Sequence, residues 1–148
     1  MKNIKIITLL LLVFMLGQGT AVAASWTYIQ RLEGTRMGPC GEYLDTESVV
    51  KTGQKLVYWT IWLLDAPGGK KQVRKILRKN EALLNDPKQI RALETYQYDI
   101  NDAEVYQSLQ PSMFTELTPD SAAYRALQHA RQDDGSDSVK PNSIDVRQ

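Results

Sequence analysis

The chain has 148 residues, with 18 Lys and Arg against 17 Asp and Glu, one histidine and one cysteine. So even a charge balance argues against a general nucleic-acid binder. A single cysteine rules out an internal disulfide, and no second Cys or clustered His exists to build a zinc site.

The first stretch, "MKNIKIITLLLLVFMLGQGTAVAASW", has the layout of an export signal. Lys2 and Lys5 form a positive start, Ile6 to Leu16 an apolar run too short to span a bilayer, and Ala21-Val22-Ala23 a small-residue cleavage pattern. Residues 1–24 are therefore expected to be a cleaved secretory signal. That places the mature protein in the periplasm, on the cell surface or outside the cell, with no transmembrane anchor. Residues 25–131 are expected to form one domain and 132–148 a polar, disordered tail.

Ser25–Leu32 alternates aromatic and β-branched residues and reads as a strand. The Gly- and Pro-rich "EGTRMGPCGE" that follows is expected to be a loop; it carries Cys40, either a thiol without special role or a reactive, dimer-forming one. Asp45–Ser48, "DTES", reads as a polar turn, and Thr52-Gly53 as a tight hairpin. Lys55–Asp65 comes next as a central strand. It carries Leu56, Tyr58, Thr60, Trp62 and Leu64 on one face and Val57, Trp59, Ile61 and Leu63 on the other. Apolar residues on both faces require cover on both sides, or a helix on one and a partner on the other.

"KKQVRKILRKNEALLNDP" changes character. Val73, Ile76, Leu77 and Leu84 fit one helical face, so a basic helical segment is predicted near 70–85. Asp86-Pro87 ends it or opens another helix. Ile90–Asp102 fits helix and strand equally. Ala103–Leu117 reads as a short extended or irregular piece around Pro111, and "TPDSAAYRALQHARQ" as a helix capped by Asp120 or Ser121.

Trp26 in an opening strand, "YLDTESV", "TGQKLVYWTIWLLD", "YQYDI" and "ELTPDSAAYRAL" together resemble the surface-adhesin protein E family. The matching positions include Trp26, Tyr43, Asp45, Ser48, Gly53 and Trp59, to which the resemblance assigns structural roles. It implies an α+β fold, a single antiparallel β-sheet of about four to six strands with a C-terminal helix packed on one face, and it turns Ile90–Asp102 toward a strand. The chain departs from the family at Ile100, where a cysteine is common, in the short stretch before Pro119, and in the Lys70–Leu84 segment. As function, the resemblance implies an exported adhesin-like module contacting extracellular-matrix proteins.

No catalytic constellation or cofactor motif is present in the sequence, so a non-enzymatic binding protein is expected. His129 reads as an ordinary helical residue. The strongest local feature is "KKQVRKILRK". Lys70, Lys71, Arg74, Lys75, Arg78 and Lys79 would cover one helix face, either as a ligand patch for a protein or polyanion or as a plain solvated surface. Two other readings stand beside the adhesin: a soluble periplasmic accessory protein of the cell envelope, and a homodimer formed through the two-sided apolar strand.

Overall fold

The computed structural model describes residues 24–133. Nearly all of the expected signal and of the expected tail lies outside them. Seven strands and one helix follow in chain order: β1 (Trp26–Leu32), β2 (Cys40–Thr52), β3 (Lys55–Gly68), β4 (Val73–Leu83), β5 (Gln89–Asp99), β6 (Glu104–Ser108), β7 (Thr115–Glu116) and α1 (Ala122–Asp133). They form one antiparallel sheet in the sequential order β1-β2-β3-β4-β5-β6, with β7 pairing the opposite end of β5. The expected single sheet with a C-terminal helix is present, one strand richer than anticipated, and β5 settles the ambiguous Ile90–Asp102 as strand up to Asp99, with a turn after it.

The predicted basic helix is not there. Residues 73–83 are β4, paired to β3 and β5 along its length. The helical spacing of its apolar residues comes from a bulge. Val73 and Ile76 are three apart yet buried in the same cluster, because the ladder shifts register between Val73 and Lys75. Leu77, assigned to the same helix face as Ile76, lies on the opposite side of the sheet. Asp86-Pro87 sits in the β4–β5 connection and starts no helix.

The expected "DTES" turn is also a bulge, inside β2, with register lost between Asp45 and Val50. Ser48 holds it. Its hydroxyl donates to the Asp45 carbonyl at 2.7 Å and accepts from the Trp59 N–H at 2.9 Å, standing in for a missing ladder bond. Asp45 accepts the Ser25 N–H at 3.0 Å and ties down the start of β1. The hairpin itself turns on Gly53 and Gln54 between the paired Thr52 and Lys55, with Gly53 at φ 59° as a tight two-residue turn requires. Cys40, placed in a loop by the sequence, opens β2 and is fully buried.

Helix α1 is capped by Ser121, whose hydroxyl oxygen accepts the Tyr124 N–H at 3.1 Å. Ala126, Leu127 and Ala130 face the sheet and are buried. The core lies on this side of the sheet in two clusters. Leu44, Leu56, Tyr58, Ala82 and Leu117 pack with the helix. Leu32, Cys40, Leu64, Val73 and Ile76 pack beneath Met37 of the β1–β2 connection. Among the described residues, no helix lies on the opposite face of the sheet.

Candidate functional site: the open face of the sheet

Strand register brings one apolar row across five strands of the open face. Tyr28 of β1 pairs Tyr43 of β2, Tyr43 pairs Ile61 of β3, Ile61 pairs Leu77 of β4, and Leu77 pairs Tyr96 of β5. Tyr28 and Tyr43 meet edge to face, with centroids 5.4 Å apart. The neighbouring row carries Trp26 and Trp59, and Trp59 also packs against Tyr96 at 6.1 Å between centroids. Leu63 stands on the next row, 40 % exposed, while Tyr28 is 53 % exposed. Such cross-strand aromatic and β-branched pairs stabilise a sheet even without a covering layer. They also leave a continuous apolar surface of the kind that marks an interaction site.

The cations on this face are answered by carboxylates. Lys79 bonds Glu94 at 2.9 Å, and Glu94 also accepts from the Tyr96 hydroxyl at 2.9 Å. The Lys79 ammonium, with help from Tyr96, holds the Glu94 carboxyl below the usual carboxylate range; the same bond pushes the Tyr96 phenol up. Lys75 pairs with Asp102 at 2.7 Å and lies over the Tyr98 ring, while Lys79 lies over Trp59. At the edge of this face, Glu81 is almost wholly covered by its two partners, Lys55 and Arg91, each at 2.6 Å. Burial raises the Glu81 pKa, but the hydrogen bonds from Lys55 and Arg91 outweigh it and leave a net lowering.

The six basic residues singled out in the sequence do not share one surface. Lys75 and Lys79 lie on the open face, ion-paired. Lys70 and Lys71 lie in the β3–β4 turn, with Lys71 donating to the Val105 carbonyl at 2.7 Å. Arg74 occupies the β4 bulge and donates to the Asp65 carbonyl. Arg78 points to the helix side of the sheet, its guanidinium 4.2 Å from the Trp62 ring centroid. Of the residues assigned structural roles, Trp59, Tyr43 and Trp26 belong to the open face, and Asp45, Ser48 and Gly53 shape the β2–β3 hairpin below it. Sequence reasoning missed Leu77 and Tyr96 as parts of the face. The alternation Leu77-Lys79-Glu81 was present in the sequence, hidden by the pseudo-helical spacing that the bulge creates.

No family profile and no curated protein matches this chain. Among solved structures, it is similar to that of Haemophilus influenzae protein E, at 20% identity and a TM-score of 0.47, over 69% of this chain and 81% of that one. At that distance the likeness does not extend to function.

Proposed function

We propose that the protein is an exported, non-enzymatic binding module of the adhesin E type that holds a protein partner against the open face of its sheet. The observation that carries this reading is the apolar row from Tyr28 to Tyr96, left uncovered by the described residues while the helix and the core occupy the other side. Aromatic residues at the centre of such a face are the residue types that carry binding energy in protein interfaces. The partner is a protein surface rather than a polyanion, because Lys75 and Lys79 are already paired with Asp102 and Glu94. Extracellular-matrix proteins are the class that the sequence resemblance implies.

A salt series separates the two kinds of partner. Binding of the mature protein to immobilised vitronectin, laminin and heparin is measured from low to high ionic strength, beside a Lys70→Gln, Lys71→Gln, Arg74→Gln variant. The reading expects matrix-protein binding that persists at high salt and survives the triple substitution. Binding to heparin alone, lost with salt or with the triple variant, contradicts it.

A further inference from the structure

A polar seam crosses the helix side of the sheet between the two apolar clusters. Glu42 on β2, Thr60 and Trp62 on β3, and Arg78 and Asn80 on β4 form it, and each strand returns to buried apolar residues on either side. Buried polar groups cost stability unless they find partners. Most do here: Glu42 accepts from Gln30 at 2.6 Å and from the Trp62 indole N–H at 2.9 Å, and Asn80 donates to the Thr60 hydroxyl at 2.9 Å. Two groups do not. The Tyr58 hydroxyl is wholly buried and has no hydrogen-bond partner among the described residues. The Arg78 guanidinium sits over Trp62 but makes no hydrogen bond or ion pair among the described residues.

Arg78 lines a cavity of about 410 Å³, with Thr60 and Asn80 of the seam beside it. Its roof is the small-residue side of α1, Ala122, Ala123 and Ala126, and Ile90 and Ala92 of β5 form its apolar wall. A second concavity of about 770 Å³, on the side of the β1–β2 connection, shares Trp62, Arg78, Ala122 and Ala123, so Arg78 is reachable along a groove. This size falls within the range of small-molecule sites, which are mostly apolar with a few convergent polar groups. The charge is unbalanced in one direction. Glu42 faces two guanidinium groups, Arg78 and, through Gln30, Arg125. One added monoanion would neutralise the set.

We propose that this cavity binds a small amphipathic monocarboxylate, its carboxylate on the Arg78 guanidinium and its apolar body between the α1 alanines and β5. Arginine presents parallel N–H groups that match a carboxylate's two oxygens, a geometry that an uncharged head cannot use. Thr60, whose oxygen already accepts from Asn80, keeps its proton to donate.

Calorimetric titration with octanoate, 1-octanol and inorganic phosphate tests the assignment. Saturable octanoate binding is expected, at least tenfold tighter than that of either control and weakened at least tenfold in Arg78→Gln. Ala123→Met, which fills the cavity from the helix side and leaves the Arg78 side chain in place, is expected to abolish it, with folding of each variant checked by circular dichroism. Should Arg78→Gln not fold, Ala123→Met decides. The proposal is overturned if folded wild-type protein shows no saturable octanoate binding, if octanol or phosphate binds equally well, or if binding survives Arg78→Gln or Ala123→Met. It stands apart from the open face, so Trp59→Thr with Leu63→Thr is expected to leave octanoate binding unchanged.

Discussion

Tyr58 carries a hydroxyl confined on every side, and its environment makes it a cost to the folded chain. Burial lifts its phenol far above the ordinary value, so it stays neutral throughout the accessible pH range. An unpaired buried hydroxyl costs about 1–3 kcal/mol. Tyr58→Phe removes the group and keeps the ring, so the unliganded variant is expected to melt higher, by several degrees for each kcal/mol recovered in a domain of this size. A lower melting temperature would show that the hydroxyl is satisfied in solution. Glu81 illustrates the opposite case, a carboxylate with a cation on each side. Its folded-state pKa is lowered, so its contribution to stability is complete above the unfolded value of about 4.3 and disappears as the pH falls through the folded value. Denaturant midpoints are therefore expected to fall below about pH 4.5 in the wild type and to fall less steeply in Glu81→Gln. Parallel curves would remove Glu81 from the account. Cys40 belongs at this scale too. Packed among Leu32, Leu64, Val73 and Ile76, with burial pushing its thiol up, it acts as a small core residue. It is expected to resist a thiol reagent until the protein unfolds, and fast labelling of the native protein would contradict that.

Among the elements, close backbone approaches carry the local constraints. Gly68 ends β3 directly under the β1–β2 connection, where an added Cβ would lie 2.7 Å from the Met37 carbonyl oxygen and 3.0 Å from Leu64. Gly68→Ala must push that connection off the second apolar cluster. A destabilisation of about 1–3 kcal/mol, the range of overpacked sites, is expected in chemical denaturation, and an unchanged midpoint would mean that the connection is not packed as described. The strands themselves were legible where alternation ran unbroken. Lys55–Asp65 showed both of its faces in sequence, and Ser121 announced its helix. Legibility failed at the bulges. One extra residue at Arg74 converts a period of two into an apparent i, i+3 spacing, and "DTES" looks like a turn because its side chains satisfy backbone groups as turn residues do. The basic residues of β4 added to the error, since Lys is depleted in strands and Lys79 sits there beside a cross-strand partner, Glu94. The polar seam under α1 was not legible at all, because it depends on which positions of three strands fall side by side.

For the whole molecule, the meander puts every helix-facing residue on one side and leaves the other to the apolar row. That division separates two roles by face. The covered side holds the core and the cavity beside Arg78, and the open side is the face proposed to meet a partner. The most direct test compares binding of vitronectin and laminin by the wild type, by Trp59→Thr with Leu63→Thr on the open face, and by Arg78→Gln on the covered face. Threonine keeps strand propensity while removing the apolar surface. The account predicts at least tenfold weaker binding in the open-face variant, with its fold intact, and no change in Arg78→Gln. Full binding by a folded open-face variant would contradict it.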